Sequence, residues 1–353
     1  MADFHTLRIK EVKKETEDTV SITLDVPNQL RKIFAYKQGQ YLTFKKKIDG
    51  EELRRSYSLC SSPVADEDWQ VAVKKVDGGK FSSFANEYLS AGDLIEVMPP
   101  EGNFFTEIAE GQKKDYIAFA AGSGITPIMS IIKSVLSVEK ESTFTLYYGN
   151  RNLESIIFHS ELLDLEKANA GRLKLNFVLS RESGQGYFKG RISAESCDEF
   201  SSSFPEIYQA DEYFLCGPEE MIFSMKDKLA ASGVSESKIH FELFTTPVSD
   251  KGEKEELPEL NSDVTVFIDG EEHSFSLSSK GMSILDAAMD AGADVPFSCK
   301  GAVCCTCRAK LMEGKVHMDM NYALTDQEVE DGYILTCQSH PLSGKVVVDY
   351  DED

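Results

Sequence analysis

From residue 1 to about 110, apolar and polar positions alternate in short runs: 7–12, 19–26, 41–44, 55–60, 70–76 and 94–98. A period of two, rich in β-branched and aromatic residues, predicts half-buried strands. The turn signals between them are Pro27-Asn28, Asp49-Gly50, Asp77-Gly78-Gly79 and Pro99-Pro100. Their spacing is that of a small antiparallel β-barrel. An amphipathic stretch at 82–89 predicts one helix within it. The pattern then changes. Apolar runs at 116–121, 144–148, 173–179, 212–216 and 239–243 alternate with helical stretches at 128–137, 160–167 and 218–231. Continuous apolar strands alternating with helices predict a doubly wound parallel α/β sheet, covered on both faces. Residues 247–261 are charged, flanked by proline and free of apolar periodicity, which reads as a linker. Beyond them, 264–268 and 273–277 form a hairpin pattern around Asp269-Gly270, followed by a helix at 284–291 and a strand at 346–350. The expected organisation is a barrel at 1–110, an α/β domain at 111–246, a linker, and a small α+β module at 262–353.

Charge narrows the partners. The 353 residues carry a formal net charge of −23, and nucleic-acid phosphates would repel such a chain. No apolar run is long enough to cross a bilayer, and the first residues lack the basic and apolar regions of a signal peptide. The expectation is a cytoplasmic protein that binds neither nucleic acid nor membrane. The charge is uneven: residues 250–353 hold 22 acidic and 8 basic side chains, a net of −14. That block is either a soluble surface or an acidic face that steers a basic partner.

The densest chemistry lies in Cys299-Lys-Gly-Ala-Val-Cys304-Cys305-Thr-Cys307, with Cys337 downstream. Cys299, Cys304, Cys307 and Cys337 have the C-x4-C-x2-C…C spacing of a plant-type 2Fe–2S centre. Two irons require four thiolates, three from a tight loop and one from a distant strand. The small residues Gly301 and Ala302 suit a loop closing around a cluster. A zinc site, a disulfide or ordinary buried cysteines are the alternatives, although zinc sites usually pair two C-x2-C knuckles. Cys305 reads as a small wall residue, with a loop ligand in some other arrangement as the alternative, and Cys60, Cys197 and Cys216 as scattered reduced thiols.

Three further motifs suit nucleotides. Gly122-Ser123-Gly124-Ile125-Thr126-Pro127 follows an apolar strand, where a doubly wound sheet binds a pyrophosphate. Gly78-Gly79-Lys80-Phe81-Ser82 opens a helix, whose free N–H groups suit an anion. Arg55-Ser56-Tyr57-Ser58 offers a cation, a ring and hydroxyls on one strand, for a phosphate and a flat ring, or is simply an edge strand.

Taken together and in this order, these motifs, with Cys216-Gly217-Pro218, resemble the ferredoxin–NADP reductase superfamily in the form that ends in a plant-type ferredoxin domain of β-grasp fold. The resemblance spans essentially the whole chain. It implies FAD, with Tyr57 stacked on the isoalloxazine, Ser58 at its N5 edge, Arg55 on the phosphates, and Gly79 and Ser82 cradling the pyrophosphate. It places Gly122, Gly124 and Thr126 on the nicotinamide nucleotide, and Cys216 near the hydride-donating carbon. Within Phe241-Glu242-Leu243-Phe244 it makes Phe244 a cover for the flavin. Ser180 and Arg181, with Tyr187, Lys189 and Arg191 nearby, resemble the surroundings of a 2′-phosphate, which suits a bidentate Arg. NADPH is therefore expected over NADH, although Glu182 suits a ribose hydroxyl instead. Most ferredoxins of this type carry Gly at the position of Cys305, a departure in this chain. The implied activity is passage of electrons from NADPH through FAD and the cluster to the oxygenase component of a multicomponent monooxygenase. The tail motifs around Asn321-Tyr322-Ala323-Leu324 and Leu335-Thr336-Cys337-Gln338 resemble the reductase subunits of phenylacetyl-CoA 1,2-epoxidases. A reductase for another diiron or Rieske oxygenase or an acyl desaturase, a stand-alone diaphorase, and a redox-sensing or electron-storage protein are the alternatives.

Overall fold

The computed structural model describes residues 4–182, 184, 186–245 and 258–352. The first block contains β1 (His5–Thr16), β2 (Thr19–Asp25), β3 (Tyr41–Ile48), β4 (Glu51–Ser58), β5 (Trp69–Lys74), α1 (Lys80–Glu87) and β6 (Leu94–Val97). The sheet order is β4-β3-β6-β1-β2-β5, and a bridge between Leu59 and Val71 joins its two edges into a barrel. Alternate residues fill the interior, among them Leu7 and Ile9, Leu42 and Phe44, and Val71 and Val73. Each such side chain contributes roughly 1.5–3 kcal/mol on full burial. Phe81 and Ala85, one helical turn apart on α1, bury against the same core.

The second block contains β7 (Asp115–Ala121), α2 (Ile125–Val138), β8 (Thr143–Asn150), α3 (His159–Ala168), β9 (Leu173–Leu179), β10 (Phe188–Lys189), α4 (Ala194–Ser203), β11 (Glu212–Cys216), α5 (Glu219–Ala231) and β12 (Ile239–Glu242). All neighbours in the order β10-β9-β8-β7-β11-β12 run parallel. The chain moves outward from β7 through β8, β9 and β10, then returns to place β11 and β12 on its other side. The order thus reverses between β7 and β11, and a crevice at their carboxyl ends is where such a sheet binds its ligand. Residues of α2 and α3 share one apolar core and those of α4 and α5 the opposite one. Helix α2 starts at Ile125, earlier than the expected 128. Pro127 therefore lies in its first turn, where no intrahelical N–H is required.

The third block contains β13 (Asn261–Ile268), β14 (Glu271–Ser278), α6 (Ile284–Asp290), β15 (Arg308–Glu313), β16 (Val316–Met318), α7 (Asp326–Glu330), β17 (Tyr333–Leu335), β18 (Ser339–Pro341) and β19 (Lys345–Asp349). A five-stranded sheet, β14-β13-β19-β15-β17, and a two-stranded sheet, β16-β18, pack with α6 in a β-grasp arrangement. Strand β13 begins at Asn261, inside the expected linker. Residues 246–257, which hold most of that linker, lie outside the described residues. No helix among the described residues is long and apolar enough to cross a membrane.

Candidate functional site

A cavity of about 780 Å³ opens where all three blocks meet, well within the size of small-molecule sites. Strand β4 supplies Arg55, Tyr57 and Ser58 to its wall. The Tyr57 ring is braced by Phe81 at 5.6 Å and Phe44 at 5.9 Å between centroids. Gly79 caps the N-terminus of α1. A Cβ there would lie 2.5 Å from Ser82 Oγ, and that hydroxyl accepts the Val76 N–H at 3.1 Å. Gly79 and Ser82 therefore close the turn that leads into the helix. Arg55, Lys74, Lys75 and Lys80 all line this end of the cavity. A ring platform beside a cationic end fits a flavin whose phosphates lie toward α1.

The nucleotide sheet meets the same cavity through Ser123, Thr126 and Arg151. Gly122 has φ +55° and open space around its Cα, whereas a Cβ on Gly124 would lie 2.0 Å from the Cys216 carbonyl oxygen. The two glycines thus do different things. Gly122 shapes the turn, and Gly124 lets α2 approach β11. Thr126 Oγ1 donates to the Ser123 carbonyl at 3.0 Å. Cys216 is fully buried behind Gly124 and is absent from the cavity wall. Burial, and then the carboxyl of Glu242, push its thiol well up.

Glu242 is the residue sequence reasoning passed over. It pairs with Cys216 in the register of β11 and β12, lines the cavity, and accepts a hydrogen bond from Ser58 Oγ at 3.0 Å. Burial raises its carboxyl to about 8, with Ser58 opposing the shift and Cys304 adding to it. Ser58, Cys216 and Glu242 therefore come together from three strand ends. Phe244 is exposed at the cavity mouth.

Ser180 and Arg181 follow β9 directly, and Lys189 stands opposite Leu179 in β10, with Arg191 two residues on. All are at the carboxyl edge of the sheet, outside the flavin cavity, and the Tyr187 ring lies 6.2 Å from Phe177. The Glu182 carboxylate accepts the Leu153 N–H at 3.0 Å, which engages the group that argued for a ribose hydroxyl.

The cysteines form two pairs. Cys299 and Cys304 have their sulfurs 3.1 Å apart, and Cys307 is hydrogen-bonded to Cys337. In each pair one thiol is drawn down by its neighbour's hydrogen bond, Cys299 to about 7 and Cys337 in the same direction. Among the described residues, no three potential ligands converge on one point that would hold a single ion. Two thiol pairs fit two irons with two thiolates each. The left-handed residues of the loop are Lys300 and Ala302, at φ 51° and 63°, so the turn conformation falls on neighbours of Gly301. Cys305 turns its sulfur to the Ala323 carbonyl at 3.3 Å, and burial raises its thiol. Cys299 and Cys304 also line the flavin cavity.

Family models match each block: "oxidoreductase FAD-binding domain" over 6–106, "oxidoreductase NAD-binding domain" over 119–227 and "2Fe-2S iron-sulfur cluster binding domain" over 266–342. The chain is 42% identical over 352 residues to a component of the 1,2-phenylacetyl-CoA epoxidase of Escherichia coli K12, covering 99% of each. It is 34% identical to the ferredoxin reductase component of 3-ketosteroid-9-alpha-monooxygenase from Rhodococcus rhodochrous, covering 98% of this chain and 96% of the relative. Among solved structures, phthalate dioxygenase reductase, described as modular for electron transfer from pyridine nucleotides to [2Fe-2S], superposes with a TM-score of 0.60 at 26% identity, covering 98% of each chain.

Proposed function

The chain belongs to the family of FAD- and 2Fe–2S-containing reductase components of multicomponent oxygenases, and on that premise we propose that it draws electrons from NADPH for an oxygenase acting on phenylacetyl-CoA. The observation that carries the electron route is the single cavity lined by Tyr57 and Ser58, by Ser123 and Thr126, and by Cys299 and Cys304. When bound, FAD takes a hydride from the nicotinamide and passes electrons singly to the 2Fe–2S centre. The chain's own residues bind, orient and shield. Tyr57 and Phe244 flank the flavin ring, and Arg55, Gly79 and Ser82 hold its phosphates. Ser58 and Glu242 present a hydrogen-bonded hydroxyl and carboxyl at the ring edge. Gly122, Gly124 and Thr126 seat the nicotinamide nucleotide, with Cys216 packed behind them. Ser180, Arg181, Lys189 and Arg191 receive the 2′-phosphate, and the engagement of Glu182 by Leu153 supports that preference. Cys299 with Cys304, and Cys307 with Cys337, hold the two irons. None of the eight cysteines is paired in a disulfide, which supports a reducing, cytoplasmic setting.

The choice of phenylacetyl-CoA is supported by full-length identity to the epoxidase component, higher than to the 3-ketosteroid relative. The test is reconstitution. Purified protein and NADPH are combined with the oxygenase subunits of a phenylacetyl-CoA epoxidase and, separately, of a 3-ketosteroid monooxygenase. Epoxide formation only in the first mixture is the expected result. Turnover only in the second would overturn the substrate assignment.

A further inference from the structure

Arg54 stands next to Arg55 on β4, yet its side chain leaves the flavin cavity. It is 7% exposed and lies in the seam between barrel and iron–sulfur module. Its guanidinium carbon sits 4.2 Å from the centroid of the Phe297 ring. Its Nη1 and Nη2 face the Val295 carbonyl and the Asp294 carboxylate, each at 3.5 Å. Its Nε donates to Glu52 of the same strand at 3.0 Å. One side chain of the barrel thus meets residues 294, 295 and 297, immediately ahead of the first cluster cysteine. Arg55 lines the flavin cavity, whereas Arg54, its neighbour on the strand, does not. Ser56 reaches both the cavity wall and the module, its Oγ donating to Ser298 Oγ at 2.8 Å. On the adjacent strand the Cys305 N–H donates to the Tyr41 hydroxyl at 3.0 Å.

The connectivity makes these contacts consequential. Barrel and module are separated in sequence by the whole nucleotide-binding domain, so no short covalent link sets the distance between them. Docking sets it. A guanidinium is suited to this role because it is always charged, stacks flat on a ring and donates in a fixed fork. Buried, it must keep its partners, and two of them, with the ring, belong to the module.

We propose that Arg54 is a positioning residue that locks the iron–sulfur module to the flavin barrel and so fixes the separation, across the shared cavity, between the Tyr57 wall and Cys299 and Cys304. This rests on the electron order proposed above, in which one electron at a time leaves the reduced flavin for the cluster and NADPH supplies both. Transfer over such a gap weakens steeply with distance, whereas the nicotinamide nucleotide is seated, in the reading above, by Gly122, Gly124 and Thr126 of the second block and not by Arg54.

The test uses full-length protein carrying flavin and iron, with Arg54→Ala and, as a second route to the same contact, Phe297→Ala. Hydrogen exchange of the amides at 294, 295, 297 and 298 should accelerate in both, while β5 and β11 stay protected as in the parent. Ferricyanide reduction by NADPH should be unchanged. Reduction of the cluster after rapid mixing with NADPH should slow severalfold relative to the parent. The double variant should be no slower than Arg54→Ala alone, since the ring contact that Phe297→Ala removes is already lost there. Unchanged exchange with parental cluster reduction would overturn the proposal. So would a parallel fall in ferricyanide turnover, which would place Arg54 in the flavin site. A parent protein whose cluster NADPH does not reduce would instead overturn the electron order, and the exchange data would still decide the docking role.

Discussion

Cys305 and Glu242 show how much one residue's reading depends on neighbours far away in sequence. The spacing of Cys299, Cys304 and Cys307 was legible because the three lie on one loop. That Cys305 turns from them toward Ala323 was expected only as a wall role, and the carbonyl that receives it is eighteen residues on. Replacing Cys305 with Ser should leave iron content and the paramagnetic signal of the reduced cluster intact, whereas Ser in place of Cys299, Cys304, Cys307 or Cys337 should abolish both. Glu242 was not singled out because Phe241-Glu242-Leu243-Phe244 offers rings as readily as a carboxyl. Its partner Ser58 lies 184 positions away. Its raised value, about 8, has a signed consequence. Between the ordinary carboxyl range and pH 8 the folded state holds a proton that the unfolded state releases. Stability should therefore fall as pH rises through that window, by at most about 1.4 kcal/mol per unit. Denaturant midpoints of the flavin-free protein should lose part of this slope in Glu242→Gln, and an identical slope in both proteins would remove Glu242 as its source.

At the scale of the element, the strands and helices with strong apolar periods were legible to within a few residues, among them β9, β11 and α5. Helix α4 was not. Its sequence Ala-Glu-Ser-Cys-Asp-Glu-Phe-Ser-Ser-Ser is held by a capping box between Ser193 and Ser196, with Cys197 and Phe200 as its fully buried anchors. Strand β15 hid for a similar reason, since Arg308–Glu313 buries only Ala309 outright and exposes Met312 and Glu313. The turn at 122–127 was recognised as a nucleotide turn, but the reason for Gly124 required the carbonyl of Cys216. Gly124→Ala should destabilise the folded protein by about 1–3 kcal/mol, the usual cost of overpacking, read as a drop in thermal midpoint. In the proposed reading, the edge formed by β9 and β10 carries the nucleotide preference. Arg181→Ala should raise KM for NADPH by about thirtyfold, from the loss of about 2 kcal/mol in a charge-assisted contact, and leave KM for NADH nearly unchanged. Equal changes for both nucleotides would move the 2′-phosphate elsewhere.

At the scale of the molecule, the order of the three blocks was legible and their docking was not, because contacts such as Arg54 with Phe297 or Tyr41 with Cys305 leave no periodic trace. The charge of the last block does bear on function. Lys280, Lys300, Arg308 and Lys345 are already engaged with Glu259, Asp286, Glu328 and Glu313, which leaves most of the acidic surplus to face solvent or a partner. Raising ionic strength from 0.01 to 0.15 M shortens the Debye length from about 30 to about 8 Å. Electron delivery to the oxygenase should slow markedly over that range, while ferricyanide reduction, measured beside it, reports the partner-free reaction. A flat response would leave the acidic surface a role in solubility alone. The most direct test of the central claim, a route from nicotinamide through flavin to a four-cysteine cluster, is anaerobic titration of the purified protein with NADPH, followed by absorbance and electron paramagnetic resonance. The account predicts two irons and one flavin per chain, loss of flavin absorbance, and a one-electron cluster signal that grows with added NADPH. Flavin bleaching without that signal, or zinc in place of iron, would contradict it.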